Sequence, residues 1–428
     1  MLAIDADRLW ASLMELAQLG ATEKGGVRRL ALSPLDGQAR DLFIRWCEQA
    51  GCSVTVDAIG NLFARRSGED DSLPPIVTGS HLDTQPSGGR FDGNYGVMAG
   101  LEVLRTLQAH GVRTRAPVEV AVWTNEEGSR FTPVMMGSGV FAGAFTLEHA
   151  LAQQDLDGIS VAQALQQIGY AGKAPVGGRR LGAYFEAHIE QGPILEDTGN
   201  VLGVVVGGLG LRWYDVVVGG QDAHAGPTPM RLRRDALLAA ARMVTEVNAI
   251  AQRYQPDGRT TVGFMQVRPN SRNVIPGEVR FSVDMRHAQD DRLDAMEQEL
   301  RMLCGQVAAD AQCAASVERV ASYPACRFDP ACVDAVRRAA ARLQLRHMDI
   351  VSGAGHDAIY VARVCPTAMI FVPCEGGISH NEIENAKPGD LAAGANVLLQ
   401  VMLERAGVEA RGERLEARGN PPPSCPSP

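Results

Sequence analysis

Apolar residues recur at helical spacing over Leu9–Leu19 and Gln38–Ala50, which predicts two helices. A third is predicted over Val97–Leu107, ending near Gly111. Val54–Phe63 alternates as a hairpin does, with Ile59-Gly60-Asn61-Leu62 as its turn region. Short, almost wholly apolar runs at Ile76–Thr78, Val118–Trp123, Ala183–Ile189 and Ala368–Val372 read as buried strands. Helical spacing returns at Pro330–Leu343 and Pro388–Leu403. Strands and helices that alternate in this way predict an α/β fold.

Between Leu209 and Ser322 the pattern changes. Trp213–Val218 reads as a strand and Arg231–Tyr254 as one long helix. Thr260–Val267 and Glu278–Arg286 read as strands, the second alternating cleanly through Val279, Phe281, Val283 and Met285. Asp290–Ala309 is a predicted helix and Ala315–Val320 a last strand. The order β-α-β-β-α-β is that of a split βαβ unit, an antiparallel sheet with two helices on one face. This predicts a smaller α+β, ferredoxin-like domain at 209–322 inserted into a larger one made of 1–208 and 323–410. Residues 411–428, charged and then proline-rich, are expected to be disordered.

Composition narrows the possible functions. A chain of 428 residues with a net charge of −9 and no basic stripe argues against nucleic acid as a partner. The first segment carries Asp5, Asp7 and Glu15 among its apolar residues, so it reads as an amphipathic helix and not a signal peptide. No apolar run reaches the length of a membrane span. Nine cysteines without a CxxC pair fit a reducing, cytoplasmic setting. GxGxxG, P-loop, GxSxG and HExxH motifs are all missing.

The chemistry concentrates where predicted strands end. GSHLDTQPSGGRFDGNYG, from Gly79 to Gly96, supplies His81, Asp83 and Asp92 on a glycine-rich loop. Glu126 and Glu127 follow the Val118–Trp123 strand, His188 ends another, and His380 lies in the loop after the last. Open α/β sheets place their sites at the carboxyl ends of strands. Three imidazoles and two carboxylates (His81, Asp92, Glu127, His188, His380) exceed one tetrahedral metal and suffice for two only if a carboxylate bridges. With Asp92 bridging, each ion receives it and two others. Such a pair, about 3.5–4 Å apart, polarises a carbonyl and lowers the pKa of a shared water. Asp83 is placed to accept the other ring N–H of His81, and Glu126 is the candidate general base.

Seven segments carry a resemblance over nearly the whole chain, from about Leu9 to Leu403. They are GSHLDTQPSGGRFDGNYG, TNEEGSRF, EAHIEQGP, DAHAGPTPMRLRRDA, NVIPG with DMRH, SGAGHDA and GISHNE. Together they resemble the dinuclear metal amidohydrolases of the M20-type metallopeptidase clan, the branch of N-carbamoyl-L-amino-acid hydrolases, β-ureidopropionases and allantoate amidohydrolases. The resemblance implies a metallo-aminopeptidase-like catalytic domain with an inserted dimerisation domain. It implies two divalent ions, zinc first, with manganese, cobalt or nickel also compatible. It assigns His81, Asp92, Glu127, His188 and His380 as ligands and Glu126 as base. His224 of DAHAG would stabilise an oxyanion in the partner subunit's site of a homodimer. Asn273 and Arg286 would contact the substrate's amide and carboxylate, with Gln191 and Arg212 as further contacts, while His356 and Asp357 support the site. The implied substrate is an N-carbamoyl amino acid, then allantoate, then a dipeptide. The loop after His380, Asn381-Glu382-Ile383-Glu384, departs from the proline-containing sequence of many relatives.

Overall fold

The structure is a computed structural model that describes residues 1–407; the expected disordered tail at 411–428 lies outside them. The described residues divide into two compact units, the first made of Met1–Val204, Asp329–Met348 and residues 356–407, the second of Val205–Phe328 and Asp349–Gly355.

In the first unit the strands run side by side in the order Ser53–Val56, Leu62–Arg66, Val118–Trp123, Ile76–His81, Ala183–Ile189, Thr367–Val372. The last four are parallel, and every residue in them is buried. That is why their sequences read as almost wholly apolar runs: strands covered on both faces need no polar side. Ser53–Val56 and Leu62–Arg66 form the expected hairpin, although Leu62 belongs to the second strand and not to the turn. Helix starts follow capping chemistry, with Ser33 accepting from Asp36 N–H ahead of Pro34 and Asp329 accepting from Cys332 N–H ahead of Pro330. The helix after the glycine-rich loop spans Asn94–Ala109.

One placement differs from expectation. His81 is the last residue of its strand, not part of the loop, because its backbone continues the ladder opposite Trp123. The ring is therefore held by sheet geometry, and only Asp83 and Asp92 depend on the loop.

The second unit has a five-stranded sheet in which Met265–Arg268, Glu278–His287, Gly210–Gly219 and Ala314–Tyr323 lie in that order, with Arg259–Thr261 also paired to Glu278–His287. Helices Ala236–Arg253 and Asp290–Asp310 bury Ala239, Met243, Val247, Leu293, Met296 and Leu300 in a core with Tyr214, Val216, Phe281 and Val283. This is the strand order of a split βαβ unit. Two expectations change in detail. The single strand at Thr260–Val267 is two short strands that break around Gly263. The long helix starts only at Ala236, because the Asp235 side chain accepts from Leu238 N–H and caps it there, while Met230–Leu232 form a 3₁₀ turn. A two-stranded ribbon, Ala223–His224 against Val274–Ile275, completes the unit.

Candidate metal centre

In the first unit the strand ends converge on Asp92, a carboxylate with only 4% of its surface exposed. Its Oδ1 lies 3.3 Å from His188 Nε2 and 3.7 Å from His81 Nε2. Its Oδ2 lies 3.2 Å from His380 Nε2, which is itself 3.5 Å from Glu127 Oε2. The two oxygens of one carboxylate thus face two different sets of donors: His81 with His188, and His380 with Glu127. The five residues expected as ligands come together around one point of the fold.

Local hydrogen bonds aim the rings. His188 Nδ1 donates to the Ile189 carbonyl at 2.9 Å, which turns Nε2 toward Asp92. His81 Nδ1 likewise lies 2.9 Å from a carbonyl oxygen, that of Asp83. The Asp83 side chain was expected to take this role, but its oxygen stands 3.9 Å from the ring. It turns instead to the next strand end, accepting from Glu126 N–H at 3.3 Å and Glu127 N–H at 3.2 Å. The aspartate therefore fixes His81 through its backbone and the glutamate pair through its side chain. Gln191 donates to Asp92 Oδ2 at 2.8 Å. Gln191, His380 and Asn125 all hold positive φ values (59°, 54° and 55°), a region non-glycine residues rarely occupy and one found most often at functional sites.

Electrostatics favour a cation here. Burial pushes Asp92 upward, but hydrogen bonds from His188 and His380 outweigh it and hold its carboxyl well below the usual range. Glu126 is pushed well above its usual range by burial, then by the charges of Asp357 and Glu127. Glu127 is pushed up by burial, then by Asp92 and Asp83. No lysine or arginine pairs with any of the three among the described residues. Buried carboxylates without a counter-charge are costly. Divalent cations between imidazoles and carboxylates supply that charge, so the donor set fits a metal.

Several contributors were not singled out from sequence. Glu384, in the departing loop, is buried, and its Oε1 accepts from Phe91 N–H at 2.9 Å and Asp92 N–H at 3.2 Å. Its Oε2 accepts from Ser379 Oγ at 2.8 Å, tying the His380 loop to the Asp92 loop. Gln85 and Ser129 form a second chain of contacts to Glu127. Behind His188, Glu186 accepts from Ser80 Oγ at 2.8 Å and from Ala358 N–H at 3.0 Å. His356 and Asp357, which the sequence did single out, lie here too: Asp357 accepts from Ser138, and the His356 ring stands edge-on to His188 at 4.5 Å. Periodicity gave no signal for Glu384, Gln85, Ser129 and Glu186, because each acts through individual polar atoms on a loop or buried strand.

The remaining expected residues lie in the second unit. His224 and Val274 are directly paired in the ribbon, and Ala225 N–H donates to the Asn273 carbonyl at 2.8 Å, so DAHAG and NVIPG are neighbours. His224 Nδ1 accepts from Gly226 N–H at 3.1 Å, which puts the proton of the neutral ring on Nε2. Arg286 is gripped by Asp284 through Nε at 3.1 Å and Nη2 at 3.0 Å, and gives Nη1 to the Gly353 carbonyl at 2.8 Å. Arg212 is buried and paired with Asp294 at 2.7 Å and Glu297 at 3.1 Å, which fixes it against the Asp290–Asp310 helix.

Comparisons with known proteins point to one family. Residues 77–404 match the model of peptidase family M20/M25/M40. The chain is 47% identical over 405 residues to an N-carbamoyl-L-amino-acid amidohydrolase of Rhizobium meliloti, covering 95% of this chain and 97% of that protein. It is 34% identical over 398 residues to an allantoate amidohydrolase of Bacillus subtilis, covering 91% and 95%. Among solved structures it is similar to an amidase of the hydantoinase/carbamoylase family from Burkholderia multivorans. That likeness has a TM-score of 0.93 and 57% identity, and covers 96% of this chain and 100% of that one.

Proposed function

The chain belongs to peptidase family M20/M25/M40, and from that premise we propose that it hydrolyses the carbamoyl group of N-carbamoyl-L-amino acids. Water adds to the ureido carbon and the bond to the amino acid's nitrogen breaks. The amino acid leaves with carbamic acid, which falls apart to carbon dioxide and ammonia. Asp92 carries the reading, because its two oxygens face two separate donor sets. His81, His188 and Asp92 would hold one divalent ion, and Asp92, Glu127 and His380 a second. Bound there, such ions polarise the carbonyl and acidify water.

Each residue then has a task. Glu126, 3.5 Å from His81 Nε2 and made more basic by burial and by the charges of Asp357 and Glu127, takes the proton from water as its carboxylate and passes it to the departing nitrogen. His224 presents Nε2–H to the oxygen that gains charge. It does so in the site of a second copy of the chain, and the exposed Trp213, Phe264, Met265, Val320 and Tyr323 of the second unit support such a homodimer. Arg286 anchors the substrate carboxylate, Asn273 and Gln191 contact its amide, and Arg212 braces this surface.

The N-carbamoyl relative, at higher identity than the allantoate relative, supports the amino-acid derivative as substrate. Assays of N-carbamoyl-L-amino acids, N-carbamoyl-β-alanine, allantoate and dipeptides, side by side after restoring one metal at a time to chelated protein, test the reading. Turnover of the first is expected; turnover of dipeptides alone would refute it.

A further inference from the structure

Glu126 and Glu127 are adjacent and both buried, and each lies beside a histidine of the site, Glu126 beside His81 and Glu127 beside His380. Something must make one a ligand and leave the other free to carry protons. Their backbones both donate to Asp83, but the hydrogen bonds of their carboxylates differ. Glu127 is held on both oxygens by a single residue: Gln85 N–H reaches Oε1 at 3.0 Å, and the Gln85 side-chain amide reaches Oε2 at 2.6 Å. The amide cannot turn over freely, because Ser129 Oγ donates to Gln85 Oε1 at 2.8 Å, which keeps the NH₂ end toward Glu127. Glu126 receives no amide donor on its carboxylate among the described residues; His81 Nε2 stands 3.5 Å from its Oε2.

We propose that Gln85, oriented by Ser129, is the positioning residue that fixes Glu127 as a ligand of the half-site shared with His380. This rests on the dinuclear reading above and adds a cause for the division of labour within the Glu-Glu pair. A carboxylate clamped on both oxygens by a rigid fork has one orientation. Its outward lone pairs point steadily at the space between Asp92 and His380. The opposite half-site, His81 with His188, takes its orientation from backbone carbonyls and owes nothing to Gln85. The two half-sites should therefore respond differently when the clamp is removed.

The test is metal uptake by the full-length chain, stripped with chelator and titrated with Zn²⁺ and with Mn²⁺ against a competing chromogenic chelator. Wild-type protein is expected to bind two ions. Gln85→Leu is expected to keep the first ion at wild-type affinity and to bind the second about 10–100-fold more weakly, the usual effect of losing a ligand's supporting hydrogen bond. Ser129→Ala, a smaller change that leaves the amide in place but unpinned, should weaken the second ion by a lesser factor. It carries the test if the Gln85 variant does not fold. Melting of the metal-free variants should match metal-free wild type, which separates positioning from general damage. Two ions held as tightly in both variants as in wild type, or both ions lost together, would overturn the inference alone. Fewer than two ions in wild type would overturn the dinuclear reading and the inference with it.

Discussion

Gly93 and His81 compete for one space: a β-carbon on Gly93 would stand 2.3 Å from His81 Nε2, the atom that faces Asp92. Gly93 also has φ +64°, where a side chain costs roughly 1–2 kcal/mol. The glycine is thus required twice, once for the turn into the Asn94–Ala109 helix and once for the ring. Gly93→Ala is expected to lower stability by at least that amount, to displace His81 and to weaken metal uptake at its half-site. A displacement of about 1 Å at a reacting centre costs ~10²-fold, so kcat should fall at least that far. Bound-metal analysis beside a melting curve checks it.

Glu126→Gln removes the proton carrier and keeps the shape. It should cut kcat by about 10²–10⁴-fold, the range for loss of a general base. Metal content should be unchanged, because no ligand is touched. Full turnover in a variant that still holds its metal would place the base elsewhere.

Arg286 has five N–H groups, and Asp284 and Gly353 engage three of them. Two remain for a substrate carboxylate. Arg286→Lys loses the fork and should raise KM by about 10–100-fold, the worth of hydrogen bonds to a charged group, with kcat less affected. Asp284→Asn, which leaves the guanidinium charged but loosely held, should raise KM by a smaller factor. Steady-state kinetics that showed kcat falling and KM unchanged would count against the anchor.

Much of the core was legible because fully buried parallel strands are mostly apolar along their length. Val118–Trp123 is read in sequence with the bounds it has in the fold, and the Glu278–His287 strand shows itself by alternation through Val279, Phe281, Val283 and Met285. Strand ends were harder to read. His81 looks like a loop residue by composition, yet ladder pairing with Trp123 extends the strand through it. The convergence on Asp92 could be anticipated because metal ligands must be His, Asp or Glu at strand ends. The residues that aim those ligands carry no such mark. A carbonyl oxygen, as at Asp83 or Ile189, is the same in every sequence, and Gln85 and Glu384 reveal themselves only by what their side chains reach.

Without metal, stability should depend on pH through Asp83 and Glu384. Asp83 is raised from 3.8 to about 7 by burial, then by Asp36, against the pull of the Glu127 and Glu126 N–H groups. Glu384 is raised from 4.5 to about 7 by burial, then by Asp92. A carboxyl whose folded pKa lies above its unfolded value binds more protons in the folded state between the two. Stability then falls as pH rises, by the sign of the proton-linkage relation. The penalty is absent below about pH 4, grows through the interval to about 7 and levels off above it. Glu384→Gln keeps an acceptor for the Phe91 and Asp92 N–H groups and removes one of the two titrations, so its metal-free melting temperature should vary less between pH 4.5 and 7. An equal slope in variant and wild type would show that Glu384 does not titrate there.

A homodimer in which His224 serves the neighbouring copy makes a quantitative prediction for mixtures. Glu126→Gln chains carry an intact His224, and His224→Ala chains carry an intact Glu126. Each variant alone should be nearly inactive, since a charge-stabilising donor is worth about 10²–10³-fold and a general base about 10²–10⁴-fold. In a mixed dimer, the site with Glu126 receives His224 from the other chain and is complete, while the second site lacks both. Random pairing of equal amounts makes half the dimers mixed, each with one of two sites working. Activity should therefore recover to about a quarter of wild type once subunits exchange. If His224 served its own chain, every site in the mixture would still lack one group, and mixing would restore nothing. Sedimentation of each variant should give the mass of two chains, because neither residue contributes to the apolar surface of the second unit.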